Sequence, residues 1–445
     1  MVAFLPALVA GQMMPAGPDV SAERLREQAL ELEKKGQWEA AFQIYHRLLA
    51  QDRQNTEYRE KLLACQRHLL RDHRLLDSTV QERVLSLQHG QLLALYDEVI
   101  TKLAAYYVDR DKSLPTRLFQ HGLEELDRAL ADEGFREKYL KNVADSTIRQ
   151  FRQRLREAWS NRSIASAREA KDLVGEIAAA ARRDLRLQKV NVVVLEFLCG
   201  ACNSLDEFTA YLSPGQMLAE LTANPDVPSV VEAAILKDGI AYARITHFRE
   251  STAQELDAAL AGLRMLPGGA NVQALVLDLR GNPGGSFEAA VRVAERFLPQ
   301  GVIVTTHGQA TEVNKIYTST AGGAALTWRL YVLVDGETAS AAEVLAAALR
   351  DHQRATLVGT PTFGKGTIQC LIQFETAEER GADGKPRSRT GGVKITLARF
   401  FSPNGQALSG GITPHLVQAD KDRQLGAALD DAARYVTMMM TLRPQ

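Results

Sequence analysis

The chain has 445 residues, 45% of them apolar and 24% charged, with 53 Lys and Arg against 54 Asp and Glu. That length holds two or three domains with sizeable cores. The balanced charge excludes a globally basic nucleic-acid binder, and four cysteines are too few for a disulfide scaffold.

The first stretch, MVAFLPALVAGQMMPAG, is apolar but has no Lys or Arg ahead of the apolar run. Residues 1–20 therefore read as the remnant of an export signal or as a disordered segment. No other stretch is long and apolar enough to predict a transmembrane segment. From Ser21 to about Arg186 glycine is sparse and Leu, Ala, Arg and Glu dominate, which predicts an all-α amino-terminal region.

Within it, residues 21–75 read as a tetratricopeptide-like hairpin. Gly36 makes the inter-helix turn, and Trp38, Ala41 and Tyr45 fall where a second helix packs on a first. Arg53 stands where the repeat usually has proline, and residues 57–75 read as the next helix. No third unit follows, and a stable array needs about three. The hairpin must lean on its neighbours or dock a partner protein. A plain helical hairpin fits the residues as well as a peptide-binding repeat.

Residues 76–229 continue as helix, with a loop at DRDKSLP (109–115) and a turn at Ser213-Pro214. The basic run Arg149, Arg152, Arg154 and Arg156 reads as a solvated helix face rather than a nucleic-acid contact. Cys199 and Cys202 have redox-motif spacing but close the apolar run VNVVVLEFLCGAC and lack the second ligand pair zinc needs. Helix packing is the preferred explanation.

From about Val230 strands and helices alternate, predicting an α/β domain over 230–420 and a final helix in 421–445. DGIAYARITHF reads as a strand, and STAQELDAALAGLRML as a helix with a capping box of Ser251 and Gln254. VQALVLDL is continuously apolar, as a strand buried on both faces would be. GVIVTT, LYVLVD, RATLVG and VKITLARFF read as further strands. ETAEERGADGKPRSRTGG (375–392) reads as a polar hairpin or loop.

Three loops follow apolar strands. In LVLDLRGNPGGSF the glycines free backbone N–H groups to face an anion, but the motif is neither a P-loop nor a dinucleotide fingerprint. In LYVLVDGETASAAEVL, Ser340 opens a helix. A serine there is ordinarily a cap. The helix end would also stabilise an alkoxide, with the Ala341 N–H as oxyanion donor. In LVGTPTFGKGTIQC, Lys365 lies between two glycines; buried, it would lose its proton near neutrality and act as a base. A Ser–Lys pair is a known nucleophile–base variant. A Ser–His–Asp alternative finds no G-x-S-x-G elbow, and His352 ends the helix that Ser340 begins, roughly 18 Å away.

These three loops, in this order, resemble the C-terminal processing, or tail-specific, serine peptidases, over about Asp238 to Pro414. The NPGG loop after a DLR strand corresponds to Asp278–Gly285, T/S-A-S-A-x-E to Thr338–Glu343, and F-G-K-G-x-x-Q to Phe363–Gln369. LARFFSPNGQALSGGITPHL is a fourth family-like stretch, and residues 95–110 and 204–214 look like the family's amino-terminal helical elements. Glu207 replaces a proline common there.

The resemblance implies an α/β catalytic domain with a crotonase/Clp-like ββα core, preceded by the all-α region. It implies a serine endopeptidase acting on a protein or peptide substrate, with Ser340 as nucleophile, Lys365 as general base and Gln369 orienting the lysine. The oxyanion donors would be the N–H groups of Ala341 and of Gly284 or Gly285. Lys365 and Gln369 would meet only if the chain turns at Gly366. No metal or other cofactor is implied; the resemblance favours a periplasmic or otherwise extracytoplasmic bacterial setting, with a cytoplasmic one left open by the sequence, and an oligomer is left open. In most of the family a PDZ domain follows the YLSP element, whereas here 23 residues, Gly215 to Lys237, lie between that element and the next strand. Ala342 stands where the family often has serine. The alternative is a catalytically inactive binding or scaffold protein on the same fold, against which the intact Ser340, Lys365 and Gln369 argue.

Overall fold

Gly36 adopts φ +67°, a left-handed conformation that glycine reaches without a Cβ clash, and closes the turn between α1 (Ala22–Lys34) and α2 (Trp38–Gln51). Ala29, Ala41, Phe42, Tyr45 and Leu48 are buried there against Leu62 and Cys65 of α3 (Thr56–Leu76). Trp38 stacks on His68 of α3 at 3.7 Å. The computed structural model describes residues 21–52, 55–222, 227–237, 239–320, 326–374, 378–380, 386–388 and 390–441. The expected export-signal remnant at 1–20 lies outside them.

The third helix ties the hairpin to the helical body across the expected boundary at residue 75. Arg71 of α3 donates to Glu125 at 2.7 Å and Arg74 donates to Glu196 at 2.8 Å, all four side chains being buried. A buried ion pair is a poor source of net stability, but removing one partner strands the other charge in the core. We expect Arg71→Ala to cost about 3–5 kcal/mol in urea denaturation. A loss below about 1 kcal/mol would show that Glu125 is not held charged by Arg71.

The body comprises α4 (His89–Tyr106), α5 (Pro115–Ala131), α6 (Glu133–Tyr139), α7 (Asp145–Trp159), α8 (Ala167–Asp184) and α9 (Asn191–Asn203). Every residue of α9 is buried. A Cβ on Gly200 would meet the His121 carbonyl at 2.4 Å, so the small residues of the Cys-Gly-Ala-Cys run allow α9 to lie directly on α5. Cys199 and Cys202 are free thiols in that contact. The basic run of α7 is largely paired: Arg152 and Arg156 bind Asp127, and Arg154 binds Asp184. Among the described residues no helix is long and apolar enough to cross a membrane.

The second half is built on two sheets. β2 (Val230–Lys237), β3 (Ile240–Ile245), β4 (Ala274–Asp278), β7 (Arg329–Val334), β8 (Ala355–Gly359) and β13 (Leu416–Val417) form one, in the order β13-β8-β7-β4-β3-β2. All neighbours are parallel except β2 with β3. Successive side chains of a strand point to opposite faces. Ala241, Ala243, Leu275, Leu277 and Val332 bury against α11 (Thr252–Met265), α12 (Phe287–Glu295) and α13 (Ala341–Asp351). Tyr242, Val276, Tyr331 and Leu333 bury against Ala428, Ala432 and Val436 of α14 (Lys421–Thr441). Both faces are covered, which is why the β4 sequence is continuously apolar.

The second sheet joins β1 (Ala210–Leu212), β12 (Gly392–Phe401), β5 (Gly301–Gly308) and β6 (Lys315–Ser319), with β9 (Thr367–Gln373) also on β12. β1 comes from the helical region, so its Tyr211 shares a core with Phe374, Val393 and Ile395. α10 (Pro214–Thr222) and β2 occupy the described part of the stretch after Ser213. β10 (Glu378–Arg380) and β11 (Pro386–Ser388) pair as a hairpin within the expected polar segment, whose other residues up to 389 lie outside the described ones.

Strands β1, β2, β6, β9 and β13 are not expected from the sequence; all are edges or short additions, where local pattern is weak. The capping box at Ser251 does not form. Ser251 sits at φ −82°, ψ −8°, already helical, and its hydroxyl donates to Glu255 at 2.6 Å. Thr252 Oγ1 takes the Arg249 N–H instead.

Candidate active site

β4, β7 and β8 are adjacent and parallel, so the loops at their carboxyl ends open on one side of the sheet. Parallel α/β sheets bind ligands at those ends. The loops are 279–286, 335–340 and 360–366, the three singled out in the sequence.

Ser340 has φ +55° and ψ −118°, with Ala342 N–H donating to the Ala339 carbonyl at 3.1 Å. This is the first central position of a type II′ turn, which favours glycine. A serine held there is strained, and such strain gathers at functional sites. Ser340 and Glu343 form a capping box, with the Ser340 N–H donating to Glu343 Oε2 at 2.8 Å. The Ala341 N–H, first of α13, donates to no group among the described residues.

The glycine loop lies directly against this turn. Gly284 has φ +104°, and a Cβ there would sit 2.9 Å from Ser340 Cβ and 3.0 Å from Ala341 N. Its own N–H already donates to Asn282 Oδ1 at 2.9 Å. Of the two glycines expected to offer an oxyanion donor, only Gly285 keeps an N–H without a hydrogen bond among the described residues. Gly285 has φ +127°, and a Cβ would meet the Phe248 carbonyl at 2.1 Å. We expect Gly285→Ala to push the loop off Phe248 and to lower catalytic turnover by about 10²-fold, as loss of one oxyanion donor does. Turnover within twofold of wild type at equal folded fraction would remove Gly285 from the site.

Asn282 is buried and braces three segments. Its Nδ2 donates to the Ile245 carbonyl, its Oδ1 takes the Gly284 N–H, and its carbonyl takes the Ala339 N–H. Asp335 accepts from Gly281 and Thr338, while Thr338 Oγ1 donates to the Leu279 carbonyl. Asp278 accepts from Tyr242 and Arg280, and Arg280 reaches the Lys421 carbonyl, fixing α14 behind the loops.

Glu343 joins the serine turn to the lysine loop. Its carboxylate is fully buried. Oε1 accepts from Thr362 Oγ1 at 2.5 Å and Gly364 N–H at 2.6 Å; Oε2 accepts from Ser340 N–H and Lys365 N–H, each at 2.8 Å. The Ser340 and Lys365 nitrogens therefore lie within twice that last distance of each other. Burial holds the Glu343 carboxyl above its ordinary value, and the four donors offset only part of that rise. A carboxylate that accepts four donors has no place for a proton, so the charged form is the one that fits.

Lys365 is half-buried, its Nζ 4.9 Å from the centre of the Phe208 ring. Burial, followed by the charge of Lys394, pulls its pKa down to about 8. Gln369 does not join it. Gln369 Nε2 donates to Thr367 Oγ1 at 2.8 Å and to Thr396 at 3.4 Å, and no hydrogen bond links it to Lys365. The chain does turn, with Gly366 N–H donating to the Gly364 carbonyl. It then enters β9, whose pairing with β12 sets Gln369 opposite Thr396. The glycine at 366 is needed mainly because a Cβ would meet Ser409 N at 2.3 Å.

Asn282, Thr338, Glu343, Thr362 and Phe208 were not assigned roles from the sequence. Glu343 had a signal: one carboxylate in a run of alanines, three residues past the serine, where a helix's third residue reaches back to the N-cap N–H. Among the described residues no cluster of His, Cys, Asp and Glu could hold a metal.

Residues 239–418 match Peptidase family S41. A carboxy-terminal-processing protease of Bartonella bacilliformis is 35% identical over 179 residues, 40% of this chain and 38% of that protein. A carboxyl-terminal-processing protease of Synechocystis sp. is 36% identical over 227 residues, 51% of this chain and 46% of that protein. The chain thus spans less than half the length of these relatives. The solved photosystem II D1 C-terminal processing protease aligns over 75% of this chain and 94% of its own at 20% identity, with a TM-score of 0.44. Residues 239–418, which carry the serine turn, the glycine loop and the lysine loop, are thus similar to peptidase family S41 and to the carboxyl-terminal-processing proteases.

Proposed function

We propose that the chain is a serine endopeptidase with a Ser340–Lys365 dyad, cleaving peptide bonds of protein substrates near their carboxyl termini. One observation carries this reading: a single buried carboxylate, Glu343, holds the main chain of both Ser340 and Lys365, beside the open N–H groups of Ala341 and Gly285. Neutral Lys365 takes the Ser340 proton, and the alkoxide attacks the peptide carbonyl. The oxyanion is held by the Ala341 and Gly285 N–H groups. Lys365 returns the proton to the leaving amine, and water then hydrolyses the acyl-enzyme. In this scheme Gln369 acts on β9 and Thr396 rather than on the lysine.

The parallel strands with α12 and α13 on one face are read as the ββα core of the crotonase/Clp type. The catalytic unit is taken as 230–420 with α14 completing its back, 76–229 as its helical partner, and 21–75 as a recruiting hairpin. An extracytoplasmic setting follows from the resemblance.

The test is a fluorophosphonate probe and cleavage of reduced, carboxymethylated α-lactalbumin. Wild type is labelled and cleaves; Ser340→Ala does neither, a loss of at least about 10³-fold. Equal cleavage by both proteins would end this assignment.

A further inference from the structure

A cavity of about 800 Å³ lies between the amino-terminal hairpin and the lysine loop. Phe42, Leu49 and Ala50 of α2 line one side, Phe208 lies between, and Phe363 and Thr367 line the other. His46 stacks on Phe363 with centroids 5.3 Å apart, which seats the hairpin on the loop that carries Lys365. Gly336, from the loop that precedes Ser340, and Gly364 and Gly366, flanking Lys365, also reach the cavity. It therefore borders the loops that carry Ser340 and Lys365.

Two features define the occupant. The charged lining is mixed: Arg59, Lys112 and Arg399 face Asp206 and Glu207, so neither sign favours a polyanion. β9 pairs with β12 along one edge, and no described strand pairs with its other edge. β9 begins two residues after Lys365, at Thr367, on the cavity wall. A free edge beside an apolar recess is what an extended chain needs: main-chain hydrogen bonds from the edge, and a pocket for an alternate side chain.

We infer that an extended polypeptide adds to the free edge of β9 and seats an apolar side chain in the cavity between α2 and the lysine loop. This rests on the peptidase reading and assigns substrate selection to the amino-terminal hairpin. The hairpin then supplies a wall of the substrate cleft, and the preferred segment is unfolded and carries a large apolar side chain within a few residues of the scissile bond.

The test separates binding from cleavage. In a Ser340→Ala background, fluorescence anisotropy follows fluorescein-labelled, reduced and carboxymethylated α-lactalbumin. Ala50→Trp fills the cavity from the hairpin, and Ser409→Trp fills it from the opposite wall. Each is expected to weaken binding at least about tenfold while keeping the parent's thermal midpoint. If Ala50→Trp melts early, Ser409→Trp alone decides. An affinity within twofold of the parent for a folded variant overturns the inference. Failure of the probe to label wild type would instead sink the peptidase reading, because the binding result does not depend on Ser340.

Discussion

We expect catalysis by the wild type to rise with pH through about 8, and Lys365→Ala to remove it, if the proposed dyad holds. The base must be neutral to accept the Ser340 proton, so activity is absent where Lys365 is charged and grows as it deprotonates. Burial is the main reason that this happens near 8 rather than at the ordinary lysine value of 10.5. The loss in Lys365→Ala should be about 10²–10⁴-fold, the range for a general base. The measurement is kcat/KM against pH, which reports groups of the free enzyme. A profile flat from pH 6 to 10 would exclude Lys365 as base.

The same shift has a cost in stability, with a definite sign. Below about 8 the lysine is charged in both states, and the folded protein bears the full penalty of burying it. Between about 8 and 10.5 the folded protein is neutral while the unfolded chain still binds the proton, so stability rises with pH there. Lys365→Met is therefore expected to melt above wild type at pH 7 while having no activity. A variant that is both inactive and less stable at pH 7 would mean that the lysine also contributes to packing.

Glu343→Gln is the second large effect. Each oxygen of Glu343 takes two donors, so an amide nitrogen in either place would face two N–H or O–H groups. Each orphaned buried donor costs about 1–3 kcal/mol, and urea denaturation should read the sum. The serine turn and the lysine loop would then lose their shared anchor. A misplacement of about 1 Å can cost 10²-fold in rate, and that is the expected fall in kcat. Rates are taken well below the melting midpoint and normalised to probe-labelled protein. A variant that is destabilised but keeps wild-type kcat per labelled site would reduce Glu343 to a structural residue.

Much of the site was legible because its parts are local. Gly284 and Gly285, Ser340 with Ala341, and Lys365 between glycines each sit in a short stretch after an apolar strand, where turn chemistry shows in the sequence. β4 could be read as buried on both faces because nothing polar interrupts it. Long-range pairing was not legible. β1 and β2 are a short strand and an edge, and β9 was hidden by the loop motif that runs into it. The Gln369 assignment followed the resemblance, whereas β9 pairing with β12 gives its amide to Thr367 and Thr396.

The sequence by itself determined the three loops to which the chemistry is assigned in the proposal, since backbone conformation at Ser340 and the glycines is a local matter. Only the tertiary structure decided how they meet. The parallel order β4-β7-β8 sets three distant loops side by side. Burial makes one Glu343 carboxylate satisfy four donors from two of them. The seat of the hairpin on Phe363 joins a segment near residue 46 to the loop at 365. Each of these depends on groups far apart in the chain being excluded from water together, and no local pattern encodes that.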